Sequence, residues 1–416
     1  MNASFGSTAP YAEPLWYSRD ISPYYKSSHR ALRGYVRTYV ETHLAPYAAE
    51  IERAGDIPAS VRASYVAHGF AIVHPPKEEY MGSMTLPAGI PPAEWDTFHS
   101  IVVSDELTRV GYSGVTWGLN GGNGIGCPPI ANFGSEAQKA YFLPRVAKGE
   151  IRFCLGITEP DAGSDVAGLR TTAERKGDVF VVNGAKKWIT NGIWADYCTT
   201  AVRTGGPGRG GLSLLIIPLE SKGVSRRRME NSGVHASGST YITFEDVEVP
   251  VENLIGKENR GFAYIMANFN PERLGLASAA LRLSRVCVED AWNYALSRET
   301  FGSPLIAKPI ILAKFSKFGR LIEPVQAFME QLAYHVEVSK ATGKSVNIGG
   351  MTALLKVMST RCLEKVCREA QQVMGGAGYA RSGKGSRIEQ ISRDVRVYVV
   401  GEEVKRYCRI WLLGRR

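Results

Sequence analysis

Apolar residues recur every four positions at Leu32, Val36, Val40 and Leu44, which predicts an amphipathic helix over 28–52. Ile57-Pro58-Ala59-Ser60 marks the start of a shorter helix, and 96–112 read as helical again. Between them, 74–95 are rich in Pro and Gly and read as a long loop. Gly134-Ser135-Glu136 opens a last helix reaching residue 148. The first 150 residues therefore read as a helical domain.

From 151 the period becomes that of strands. Segments 179–183, 186–190, 196–203, 212–218 and 240–249 are β-branched and apolar, separated by Asn-Gly and Gly-rich turns. Asn183-Gly184 reads as the two-residue turn of a hairpin. Past 259 the helical period returns, with Leu276, Ala280, Leu283 and Cys287 on one stripe of 274–299. A second stripe covers 310–338, where Pro324 is expected to kink it. A third, 351–374, places Leu354, Met358, Cys362, Val366 and Ala370 four apart and stops at Gly375-Gly376. Asn270-Pro271-Glu272-Arg273 fits a helix first turn or a kink inside a longer helix. The expected class is α+β and multidomain. It has a helical domain (1–150), an antiparallel β-barrel domain (151–258) and a C-terminal four-helix-bundle-like domain (259–416).

Composition narrows the partners. The chain has 416 residues and a net charge of +10, which favours anionic partners such as a nucleotide cofactor, a CoA-type substrate or nucleic acid. Only Arg226-Arg227-Arg228 forms a compact basic cluster, so a general surface excess is expected rather than a nucleic-acid face. No apolar run is long enough to span a bilayer. Met1–Pro10 carries no signal-peptide pattern, and Leu413-Gly414-Arg415-Arg416 is no peroxisomal tripeptide, so a cytoplasmic location is the default expectation. The seven cysteines form no C-x-x-C pair, so neither a zinc site nor a disulfide framework is expected and a reducing compartment fits.

Candidate chemistry is decided first by exclusion. Residues 113–128 are glycine-dense but contain no G-x-G-x-x-G, and are expected to allow close helix packing. Residues 206–211 do fit that motif, yet a strand follows them, so a hairpin loop explains the glycines. The seven histidines show no metal-ligand spacing and no G-x-S-x-G occurs, so no metal site is expected. The informative stretch is 154–192. Thr158-Glu159-Pro160-Asp161-Ala162-Gly163-Ser164-Asp165 is turn-rich, with hydroxyls beside a glycine. Lys187-Trp188-Ile189-Thr190-Asn191-Gly192 adds a large flat aromatic, and the two runs together could hold a planar polar heterocycle. Without more, a buried core Trp would be the plain reading.

This pair of runs resembles the signature of the acyl-CoA dehydrogenase family, flavoproteins that desaturate acyl thioesters, and the helical–β–helical order resembles that family along nearly the whole chain. The resemblance implies FAD as cofactor and an acyl thioester, on CoA or a carrier protein, as substrate. Leu155, Ile157, Thr158, Gly163, Ser164, Trp188 and Thr190 would line flavin and thioester. Arg298 and Phe301 in RETFG, and Gln372 with Gly375 and Gly376 in QVMGGAGY, resemble contacts to the flavin pyrophosphate of a neighbouring subunit. A homodimer or homotetramer is thereby implied, with an electron acceptor of unstated identity. Pro309 departs from the family, which usually has Gln there.

Desaturation needs a carboxylate to take the α-proton and an organic cofactor to take the β-hydrogen as hydride. Two glutamates compete. Glu272, followed by Arg273, matches the E-R-L of one family branch, with Arg273 and Ser164 implied at the substrate; Glu402 lies at the loop position of the commoner branch but lacks its following Gly-Thr. Glu272 is preferred. Two other functions share these motifs: a flavin oxidase or monooxygenase acting on nitroalkanes or amines, and a flavin-poor scaffold.

Overall fold

A computed structural model describes residues 5–18, 22–344 and 347–401. Glu402, and with it the loop-base candidate, lies outside the described residues. The helices in chain order are α1 (Leu15–Ser18), α2 (Ser27–Tyr39), α3 (Ala48–Ala54), α4 (Ala59–Ala67), α5 (Glu78–Met81), α6 (Thr97–Thr108), α7 (Ser113–Gly126), α8 (Pro128–Phe133), α9 (Glu136–Ala147), α10 (Gly261–Ser297), α11 (Pro309–Thr342), α12 (Gly349–Met374) and α13 (Ser386–Val400). Seven strands build the central sheet: β1 (Phe153–Gly156), β2 (Thr172–Lys176), β3 (Val179–Ile189), β4 (Tyr197–Arg203), β5 (Leu212–Pro218), β6 (Val224–Arg228) and β7 (Thr240–Pro250). Among the described residues no helix is long and apolar enough to cross a membrane. The chain forms two compact units, one of residues 1–45, 96–113 and 270–416, the other of 46–95 and 114–269.

The helix expected over 28–52 is divided. α2 passes into a π turn, Val40–Leu44, and α3 follows separately. Leu32, Val36, Val40 and Leu44 are nonetheless all buried. A strict four-residue spacing outruns the 3.6 residues of an α-turn, and the wider π turn brings Leu44 back onto the buried face.

In the sheet-bearing unit, strand alternation sorts side chains into two cores. Phe153, Leu155, Leu212, Leu214 and Ile216 pack with Ile130, Phe142, Leu143 and Val146 of the helices. Their neighbours Cys154, Leu215 and Ile217 join Phe180, Val182, Ile242, Phe244, Val247 and Val249 on the opposite face. A sheet covered on both faces explains why β5 is buried without a break from Leu212 to Ile217, with Ser213 its only polar residue there. The sheet is curled around the second cluster, which strand residues supply almost alone.

The strand order is β1-β4-β2-β3-β7-β6, with β5 beside β4. It is mixed rather than wholly antiparallel, because β1 pairs parallel with β4. The segment between them, holding β2 and β3, is long enough for the crossover that a parallel pair requires. β4 and β5 are antiparallel, so residues 204–211 are a hairpin loop as expected, with Arg203 Nη1 donating to the carbonyls of Gly206 (2.7 Å) and Gly208 (3.1 Å).

Asn183-Gly184 is not a turn. β3 runs straight through it, and the turn to β2 is Gly177-Asp178, where Gly177 has φ +62°. Asn183 Nδ2 donates to Asp246 Oδ1 (2.9 Å) while Asp246 N–H donates to Asn183 Oδ1 (2.8 Å), so the amide is engaged across the ladder to β7. Gly184, at φ +146°, forms a bulge against Thr171, where a Cβ would lie 2.6 Å from the hydroxyl.

The other unit is helical. α10 continues through Pro271 and α11 through Pro324, each as one element. Glu272 therefore stands inside a helix, not in its first turn. Pro309 occupies the first position of α11, where a missing N–H is tolerated. A buried ionic network ties the N-terminal segment to the helices. Glu13 accepts from Arg282 Nη1 (2.6 Å), Arg37 Nη2 (3.2 Å) and Arg109 Nη1 (3.2 Å), and Arg285 Nη1 donates to the Tyr11 carbonyl (2.8 Å). Burial alone would raise the Glu13 carboxyl, but Arg282, Arg37 and Arg109 outweigh it and hold the group at about 2.

Candidate active site

Two loops and a strand end meet in the sheet-bearing unit. β1 delivers the chain into the 158–165 turn, and Lys187 N–H donates to the Thr158 carbonyl at 2.8 Å, so this turn lies against the second half of β3. Leu155 and Ile157 point their side chains into the helix-facing core. Thr158 is half-buried, whereas Gly163 and Ser164 are exposed. A Cβ on Gly163 would meet nothing within 4 Å, so the turn tip is open.

The turn is held by a residue that motif reading passed over. Glu159 is buried and accepts from Lys186 Nζ (2.7 Å), Arg170 N–H (2.6 Å) and Thr171 N–H (3.0 Å). Lys186, fully buried, also donates to the Ile157 carbonyl (3.1 Å). Burial pushes the Glu159 carboxyl up, but the Lys186 ammonium and these hydrogen bonds win and hold it below the ordinary carboxylate range. The signal available in the sequence was a lysine two residues before the Trp on an otherwise apolar strand face.

Beyond Lys186 the ladder slips before Ile189, and Trp188 sits in the slip at φ +65°. A non-glycine residue there is costly, and a bulge re-aims its side chain. The indole is 53% exposed, with Lys187 Nζ 5.0 Å from its ring centre. The core Trp of the plain reading is thus excluded. The two runs thus present an exposed indole, the half-buried Thr158 and Thr190, and an open glycine at the turn tip.

The remaining candidates belong to the other unit. Glu272 and Arg273 are half-buried on α10, Arg273 Nη1 donating to Asn270 Oδ1 at 3.4 Å. Arg298 is exposed at the end of α10. Phe301-Gly302, at φ +50° and +73°, turn a two-residue hairpin, and the Phe301 ring is fully exposed. Gln372, Gly375 and Gly376 are exposed where α12 ends, and neither glycine has an atom within 4 Å of a Cβ position. Lys384 Nζ donates to Ser297 Oγ (3.2 Å), joining the chain after α12 to the end of α10.

Among the described residues this unit also holds one cluster of metal-type donors, His29, Asp96 and His99. Lys26 N–H donates to His29 Nδ1 (2.8 Å), which places the His29 proton on Nε2, facing Asp96 Oδ1 (2.9 Å). His99 Nδ1 lies 2.9 Å from Asp96 Oδ1 and 3.1 Å from Asp96 N. These imidazoles cap the starts of α2 and α6, and the tautomer that His29 adopts leaves its Nε2 without a lone pair for a metal.

Comparison with known proteins finds matches along most of the chain. Residues 26–150 match the model of the acyl-CoA dehydrogenase N-terminal domain, 154–247 that of the middle domain and 259–402 that of the C-terminal domain. The chain is 48% identical over 406 residues to acyl-CoA dehydrogenase AFT10-1 of Alternaria alternata, covering 96% of this chain and 94% of that one. It is 41% identical to acyl-CoA dehydrogenase apdG of Emericella nidulans, covering 94% and 91%. Among solved structures, acyl-CoA dehydrogenase from Geobacillus kaustophilus superposes with a TM-score of 0.82 at 30% identity, covering 94% and 98%.

Proposed function

The chain belongs to the acyl-CoA dehydrogenase family, and from that premise we propose that it desaturates the α,β bond of an acyl-CoA or related acyl thioester. It is an oxidoreductase acting on CH–CH bonds, and its cofactor is FAD. When bound, FAD accepts the β-hydrogen as hydride, which no side chain can do. The observation that carries the reading is the Trp188 bulge, an exposed indole in a costly backbone conformation, next to the Lys187 N–H that ties β3 to the Thr158 carbonyl of the turn holding Gly163.

On this reading Trp188, Thr190, Thr158, Gly163 and Ser164 seat the flavin ring, with Leu155 and Ile157 backing them from the core. Glu272 takes the α-proton on a carboxylate oxygen, and Arg273 and Ser164 hold the substrate. Support for Glu272 is its half-buried position inside α10, well past that helix's own first turn, with Leu274 buried two residues on. Pro271 before it has no N–H to give the helix ladder. Arg298, Phe301, Gln372, Gly375 and Gly376 reach the ADP half of a neighbouring subunit's FAD. The full exposure of Phe301 and the 87% exposure of Tyr379 support a homodimer or homotetramer. The sequence-based domains 1–150, 151–258 and 259–416 and a cytoplasmic location complete the proposal, the latter supported by six free, buried cysteines among the described residues.

The test is anaerobic titration of the purified flavoprotein with acyl-CoAs of graded length and branching, following loss of the oxidised flavin absorbance. Bleaching by at least one thioester is expected. An assembled, FAD-loaded protein that stays oxidised with all of them would overturn the reading.

A further inference from the structure

The glycine-dense run 113–128 and the Asn191 that closes β3 have no part in the proposed chemistry, yet the fold brings them together. Gly118, Gly122 and Gly126 line one face of α7, where a Cβ would lie 2.1 Å from the Ala236 carbonyl oxygen, 2.3 Å from that of Phe153 and 2.7 Å from that of Cys154. Gly121 faces Thr190, whose methyl would lie 2.9 Å from a Cβ there. The helix is therefore seated directly on the backbone of β1 and on the residues that follow Trp188.

Asn191 closes this contact. It is buried, at φ +61°, a conformation that Asn tolerates better than most residues. Its Oδ1 accepts from Gly122 N–H (2.8 Å), and its Nδ2 donates to the carbonyls of Trp117 (3.0 Å) and Ser237 (2.9 Å). Its own N–H donates to the Ser237 carbonyl (2.9 Å), and Arg226 Nη1 holds the next carbonyls, Gly192, Ile193 and Ala195. Two left-handed residues, Trp188 and Asn191, thus bracket Ile189-Thr190, and only Asn191 has a side chain that fastens the segment to a helix.

We infer that Asn191 is a positioning residue, fixing Trp188 and Thr190 against the glycine face of α7 at the angle the flavin ring requires. The inference rests on the proposed flavin seat. One primary amide is matched to this place because it must accept from a helix N–H and donate to two carbonyls at once. A carboxylate cannot donate to the two carbonyls, and an aliphatic side chain offers neither the acceptor nor the donors that fasten this segment to α7.

The experiment perturbs the contact from both sides. Asn191→Gly keeps the left-handed backbone and removes the clamp. Gly121→Ala leaves the clamp and pushes the Thr190 methyl. In both FAD-loaded variants the visible circular dichroism of the flavin should change, and kcat should fall about 10- to 100-fold with KM within about twofold. Adding Thr190→Ser to Gly121→Ala removes the methyl being pushed, so the double variant should return to the spectrum and rate of Thr190→Ser alone. Wild-type flavin dichroism and kcat in Asn191→Gly and Gly121→Ala would overturn the inference. So would losses that merely follow melting temperature and are not rescued by Thr190→Ser. If the wild type binds FAD but oxidises no thioester, while the variants still shift the flavin spectrum, the substrate reading falls and the positioning role stands. A wild type that takes up no FAD overturns both.

Discussion

Glu13→Gln tests whether the N-terminal segment is held by charge. The carboxylate is 6% exposed and lies within 3.2 Å of three guanidiniums, from Arg37, Arg109 and Arg282. Its pKa of about 2 against an ordinary 4.5 corresponds to about 3 kcal/mol of stability at neutral pH. This agrees with the roughly 3–5 kcal/mol that breaking a buried pair costs. For a cooperative unit of roughly 200 residues, about 3 kcal/mol lowers the melting temperature by about 6–12 °C. The sign with pH follows from the depressed folded-state value. The contribution is whole above the unfolded pKa near 4.5 and is lost as pH falls through that value toward about 2. Thermal melts of wild type and Glu13→Gln, followed by circular dichroism, should therefore differ most at pH 6–7, and the gap should narrow steadily from about pH 4.5 toward about pH 2. A variant melting within about 2 °C of wild type at neutral pH, or a gap that does not narrow in acid, would refute the reasoning.

The base assignment is checked by anaerobic flavin reduction. Glu272→Gln should slow it by about 10²–10⁴ with FAD content unchanged, and a block seen only in Glu402→Gln would move the base to the C-terminal segment. Arg298→Ala should weaken FAD binding by about 1.5–3 kcal/mol, read by equilibrium dialysis against free FAD; an unchanged Kd contradicts the inter-subunit contact. Lys186→Met strands the buried Glu159 carboxylate and should cost about 3–5 kcal/mol. Pairing it with Glu159→Gln should recover part of that loss in urea unfolding, and strictly additive losses would argue against the pair.

Much of the candidate site was legible because its signals are local. The 158–165 and 187–192 runs, RETFG and QVMGGAGY carry family resemblance in consecutive residues. The β4–β5 loop could be told from a dinucleotide fingerprint by the strand after it. β2 and β6 were missed because charged residues dominate them, as suits ladder positions with exposed side chains that no apolar alternation marks. Glu159 and Lys186 were missed because a buried ion pair looks like two ordinary charges until the chain brings them within 2.7 Å.

By itself the sequence determined the order of helical, strand and helical segments, because period and burial are coupled along a few turns of chain. It also determined the chemistry on offer: two glutamates, an indole, hydroxyls and an open glycine corner. Only the tertiary structure decided how they are presented. Asn183-Gly184 would be a turn in an isolated peptide. Here Asp246 of β7 engages the amide and Thr171 crowds the glycine, so the strand continues. That continuation carries Trp188 to the slipped end of the ladder, where a left-handed backbone holds its ring out of the core. Bulges, exposure and three-way hydrogen bonds depend on partners tens of residues away, and no local pattern contains those partners.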